Sequence, residues 1–101
     1  MSSFRLTRNA VDDLDAIWLH IYKDNPEAAD AVEEEIRSAY ALRAESPLQG
    51  HLRRDLTKLP VRFWTLPKYP SYMVVYDPRA RPLAILRVLH GMRDLRRLLK
   101  S

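Results

Sequence analysis

A chain of 101 residues, 47% apolar and 30% charged, has the make-up of one globular domain, which excludes a disordered chain. It has no cysteine, so disulfides and thiolate metal sites are excluded, and no apolar run is long enough for a membrane span. Net charge is +4 but unevenly laid out: residues 5–46 carry −5, residues 47–78 carry +3 and residues 79–101 carry +6, the last with six arginines. Such a dipole points either to two surfaces with different partners or, for the acidic half, simply to solvated helices, the preferred reading there; the arginine-rich end is harder to read as solubilising. The opening Met-Ser-Ser-Phe-Arg has no apolar signal core, so a cytoplasmic protein is expected.

Phe4-Arg5-Leu6 alternates apolar and polar residues and predicts a short edge or first strand. Thr7 or Asn9 then caps a helix, with Asp12, Asp13 and Asp15 expected near its positive end. Ala10, Leu14, Ile17, Trp18 and Ile21 recur at helical spacing, which predicts one face, Trp18 and Ile21 included, packed on a sheet. Tyr22 has no assigned packing role. Asp24-Asn25-Pro26 stops this helix and starts another, since Asn25 caps well and proline fits the first helical position. The second helix runs to about residue 45. Ala28, Ala29, Val32, Ile36, Ala39 and Tyr40 form its apolar side, and Glu33 pairs with Arg37 outside.

Ser46-Pro47-Leu48-Gln49-Gly50 closes the helical half, and residues 51–59 form a polar connection. Beyond it the apolar pattern changes from helical to alternating. Strands are predicted over 61–66, 71–77 and 83–90, joined by the turns Pro67-Lys68-Tyr69-Pro70 and Pro78-Arg79-Ala80-Arg81-Pro82 into an antiparallel meander. The third strand is almost continuously apolar and is expected to be central. Residues 92–100 predict a short terminal helix with Leu95, Leu98 and Leu99 inward and Arg96, Arg97 and Lys100 outward. The fold class is α+β: β-α-α-β-β-β, a helix hairpin packed on a small antiparallel sheet, a short C-terminal helix, and one domain over 1–101.

The chemistry gathers where the last strand stops, at His90-Gly91-Met92-Arg93-Asp94. Gly91 is expected to supply a positive φ at the strand exit. His90 reads either as a structural histidine bonded to a backbone carbonyl or as a general base. Asp94 pairs with Arg93 or caps the terminal helix. Arg93, Arg96, Arg97 and Lys100 either solvate that helix or meet phosphates or an acidic surface. Arg87, inside the central strand, requires an acidic partner or an exposed face. Trp64 and Tyr76 read as packing residues rather than base-stacking platforms. His20 and His51 are isolated; no metal-ligand spacing and no glycine-rich phosphate loop is present, so no cofactor is expected.

Over nearly its whole length the chain resembles the ParE toxins of bacterial type II toxin–antitoxin systems, in the wider RelE/ParE superfamily. The likeness runs through Arg5-Leu6-Thr7, Ala10, Asp13-Leu14, Ile17-Trp18 and Asn25-Pro26-Glu27-Ala28-Ala29. It continues with Ser46-Pro47-x-x-Gly50 and Tyr72-Met73-Val74-Val75-Tyr76, and closes on Ile85-Leu86-Arg87-Val88-Leu89-His90-Gly91-Met92-Arg93-Asp94. The resemblance implies a toxin held inactive by an antitoxin encoded beside it. ParE toxins act on DNA gyrase at the stage of cleaved DNA, whereas RelE-like relatives cut mRNA in the ribosome, so fold alone does not choose. RelE-like enzymes carry an arginine directly after the first tyrosine of the Tyr-x-Val-Tyr-like strand and an aromatic acid–base residue soon after the terminal arginine. This chain has Met73 at the first place and Leu98 and Leu99 at the second, and only Arg93 matches.

The expectation is therefore a non-enzymatic gyrase inhibitor in a hetero-oligomer with a ParD-like antitoxin of ribbon-helix-helix type. The alternatives are a RelE-like, ribosome-dependent mRNA endonuclease and a module that only binds its antitoxin. Target contact is assigned to Arg93, Arg96, Arg97, His90 and Asp94. A basic toxin prefers an acidic antitoxin, which assigns the terminal arginine cluster and the 51–62 segment, with Arg53, Arg54, Lys58 and Arg62, to antitoxin contact; Tyr22, at a groove of the helix hairpin, is added as a candidate for an antitoxin helix.

Overall fold

The computed structural model describes residues 3–99, apart from the side chains of Met92, Arg96, Leu98 and Leu99. The elements are β1 (Phe4–Leu6), α1 (Arg8–Tyr22), α2 (Pro26–Glu45), β2 (Arg62–Thr65), β3 (Tyr72–Asp77), β4 (Leu83–His90) and α3 (Gly91–Leu99). The four strands form one sheet in the order β1-β4-β3-β2. β2, β3 and β4 make the antiparallel meander read from the sequence, and β4 is central.

The sheet is nevertheless mixed rather than antiparallel throughout. β1 lies parallel to β4, with Phe4 opposite Leu83 and Leu6 opposite Ile85. Because β1 returns directly into α1, the hairpin is carried across one face of the sheet. α1 and α2 fold back on each other across Lys23–Asn25, and Asn25 Oδ1 accepts from the Ala28 amide at 3.1 Å to cap α2.

Alternation along the strands sends side chains into two cores. Val74, Tyr76, Ile85 and Val88 face the hairpin and meet Leu14, Ile17, Val32, Ile36 and Tyr40. Val61, Phe63, Met73, Val75 and Leu89 form a smaller cluster with Leu56, Leu86 and Leu95 packed against it. β3 is therefore buried at every position from Met73 to Tyr76. The connection at 51–59 is not only a polar link, since Leu56 packs on that cluster and His51 exchanges two 2.8 Å backbone bonds with Phe63.

Three local expectations are corrected. α1 begins at Arg8, so no acidic residue occupies its first turn; Asp12 pairs with Arg8 at 3.3 Å. Trp18 lies outside the core clusters: its indole N–H donates to Asp30 at 2.9 Å and its ring stacks on Tyr22, centroids 4.6 Å apart. Gly91 has no positive φ, because α3 starts there and continues the chain from β4 in right-handed geometry. α2 also buries a residue that its apolar pattern does not flag. Arg43 is 4% exposed, with its guanidinium carbon 3.6 Å from the Trp64 ring centroid. Among the described residues, no helix is long and apolar enough to cross a membrane.

Candidate functional site

The site follows from where β1 stops. The Thr7 amide donates to Ile85 O (3.0 Å), and its hydroxyl donates to Leu86 O (2.8 Å) while accepting from the Ala10 amide (3.2 Å). One residue thus ends the strand, caps α1 and turns the chain off the sheet. From Leu86 onward β4 has no strand beside it on that edge. A bulge falls at the same place: Val75 faces Arg87 while Tyr76 faces Ile85, leaving Leu86 as the extra residue.

The exposed edge is closed by carboxylates. Asp13, on the second turn of α1, accepts from the Val88 amide at 2.9 Å and grips Arg87 through Nε (2.7 Å) and Nη2 (3.0 Å). That hydrogen-bonded pairing holds the Arg87 guanidinium above its ordinary pKa. Asp94, on the first turns of α3, reaches back to accept from the His90 amide at 2.6 Å. This is one half of the bonding of a capping box, without a return bond from the His90 side chain. Its other oxygen sits 3.4 Å from Arg93 Nε and 3.6 Å from Arg97 Nη1. Those contacts are long and their arginines exposed, so they hold little energy.

Between α1, β4 and α3 lies a cleft of about 660 Å³, lined among others by Asp13, His20, Tyr72, Arg87, Arg93 and Arg97. Tyr72 and His90 are register partners whose rings meet edge to face at 5.4 Å. His90 Nδ1 is buried without a partner, so it makes no bond to a backbone carbonyl. The cleft thus offers oriented guanidinium groups, two carboxylates already engaged, and aromatic and imidazole rings. Three arginines against two carboxylates leave its lining net positive. Among the described residues no group of three His, Cys, Asp or Glu side chains could hold a metal.

The sequence pattern of a family described as ParE toxin of type II toxin-antitoxin system, parDE, matches residues 4–95. The chain belongs to the ParE toxin family. A solved structure described as a chromosomal ParDE TA system from P. aeruginosa is similar to it, with a TM-score of 0.72 and 28% identity over 89% of this chain and 96% of the other. No curated protein matches the chain. A ParE toxin works within a toxin–antitoxin pair, so an antitoxin partner follows from the family.

On this ParE scaffold, Arg93, Arg97 and Asp94 come together at the cleft, and His90 stands behind it against Tyr72. The Arg96 side chain and Lys100 lie outside the described residues. Asp13, Tyr72 and His20 also line the cleft without having been singled out as site residues. Only one of them left a signal in the sequence: the requirement that Arg87 find an acid, which Asp13 meets. The basic connection behaves differently. Arg53 pairs with Asp55 at 2.7 Å, Arg54 donates to Lys58 O at 2.9 Å and Arg62 donates to Gly50 O at 2.7 Å. Lys58 is exposed, and Tyr22 stacks on Trp18 on the helix hairpin.

Proposed function

We propose that this ParE toxin arrests growth by binding DNA gyrase when its DNA is cleaved, without making or breaking bonds itself. A ParD-like antitoxin of ribbon-helix-helix type neutralises it in a cytoplasmic hetero-oligomer. Arg93, Arg96, Arg97, His90 and Asp94 contact the target, and the basic connection with Arg53, Arg54, Lys58 and Arg62, together with Tyr22, faces the antitoxin. The observation that carries the non-enzymatic reading is Met73. Its place, where an RNA-cleaving relative needs an arginine, is buried in the cluster with Phe63 and Leu89 and does not line the cleft. The cleft's two carboxylates, Asp13 and Asp94, are already bonded to arginines and to backbone amides, which supports reading it as a site that binds charge rather than one that moves protons.

One observation supports a second reading, a RelE-like mRNA endonuclease. His90, with its unpartnered Nδ1, lies beside Tyr72 at the strand end that leads to Arg93. Purified toxin added to a gyrase supercoiling reaction and, separately, to a translation extract decides between them. The proposal expects lost supercoiling and intact transcripts. Codon-positioned cleavage abolished by Arg93→Ala, with gyrase unaffected, would reverse the order.

A further inference from the structure

The open edge of β4 has a consequence for what the cleft accepts. An extended peptide recognised there as an added strand needs free backbone donors. The outward amides of Val88 and His90 are already bonded to Asp13 and Asp94, and Leu86 O is bonded to the Thr7 hydroxyl. What the cleft still presents is side-chain chemistry. Asp13 takes only Nε and Nη2 of Arg87, leaving Nη1, while Arg93 and Arg97 are 55% and 78% exposed and touch Asp94 only at 3.4 and 3.6 Å. Asp13 fixes the Arg87 fork at two of its nitrogens, while Asp94 holds Arg93 and Arg97 only weakly and leaves their guanidinium groups available. Tyr72 and His20 also line the cleft.

We propose that this cleft binds the phosphates of a single DNA strand, with Arg87, Arg93 and Arg97 on successive phosphate oxygens and Tyr72 beside a base. Guanidinium forks match phosphate geometry, and ring faces accept any base. Ring side chains beside the guanidinium groups suit a strand whose bases are free to stack rather than an intact duplex. The inference rests on the gyrase reading and deepens it: the toxin grips the strand that gyrase has opened as well as the enzyme. Asp13 is a positioning residue that fixes the Arg87 fork.

The test is fluorescence anisotropy of the full chain with a labelled single-stranded oligodeoxynucleotide, without gyrase. The expected result is salt-dependent binding whose log–log slope loses about 0.7 for each phosphate contact removed. Arg93→Glu and Arg97→Glu should each weaken it by about tenfold or more, while Arg79→Glu, an equal charge change on the turn before β4, leaves it within about twofold. Circular dichroism confirms that these surface variants fold. Absent binding, an equal loss in Arg79→Glu, undiminished affinity for a methylphosphonate strand, or binding confined to polyglutamate would each overturn the inference. A toxin that inhibits gyrase yet ignores the oligonucleotide defeats only this inference; one that binds the strand and leaves gyrase untouched defeats only the gyrase reading.

Discussion

Tyr40 and Tyr76 are both fully buried, yet their hydroxyls have opposite fates. Tyr76 donates to Pro47 O at 2.6 Å and accepts from the Gly50 amide at 2.9 Å, which ties the loop after α2 to the sheet. Tyr40 has no partner. Tyr76→Phe should therefore cost about 1–3 kcal/mol in urea denaturation, while Tyr40→Phe costs nothing or stabilises slightly. Burial is the main cause raising both hydroxyls above the ordinary tyrosine value of 10.0. A raised folded value contributes stability that is complete below the unfolded value and is lost as pH rises from there through the folded value. Stability should hold to about pH 9 and fall beyond about pH 10, less steeply in Tyr40→Phe. An alkaline slope unchanged in that variant would contradict the assignment.

The glycines divide the same way. A Cβ on Gly50 would stand 2.5 Å from the Tyr76 hydroxyl, whereas one on Gly91 meets Ser71 O at 3.4 Å in helical backbone. Gly50→Ala should cost about 2 kcal/mol or more and Gly91→Ala less than about 0.5 kcal/mol, measured by thermal melts. Sequence reading marked both tyrosines as core and valued Gly91 for a positive φ. The weight falls on Gly50 instead, because close approach depends on a residue 26 positions away. No local pattern carries that.

At the scale of elements, the two helices, the meander and the central strand were legible because each is written in a local period and its breakers. Asn25-Pro26 starts α2 as read, and Arg87 finds the acid that its place demanded. The parallel pairing of β1 was not legible. Phe4 meets Leu83, 79 positions later, and a three-residue strand has too little pattern to fix its direction. Asp13 was misread for the same reason, as a helix-end charge rather than the tie between α1 and β4. Asp13→Ala should destabilise the fold by about 1–2 kcal/mol. That is less than a fully buried pair would lose, since the Arg87 side chain is 38% exposed and partly screened by solvent. A variant as stable as the parent in urea would show that the tie contributes nothing.

Across the whole molecule, the acidic first half became the hairpin and the basic end became α3 with the strand that leads to it. The charge asymmetry was readable from composition. The cleft was not, because it exists only where the end of β1, the second turn of α1 and the start of α3 converge on one stretch of β4. The family likeness carried the order of elements, and Arg93, read at the surface where the last strand stops, lines the cleft. The partners of Arg93 come from elements distant in sequence.

The central claim is that this ParE toxin acts by holding its target. Titrating purified toxin into a supercoiling reaction at several fixed gyrase concentrations tests it most directly. The account predicts that inhibition follows the ratio of toxin to gyrase, saturates with cleaved DNA accumulating, and is lost in Arg93→Glu. Supercoiling that continues at large toxin excess, or transcripts cut by toxin present in trace amounts, would contradict it.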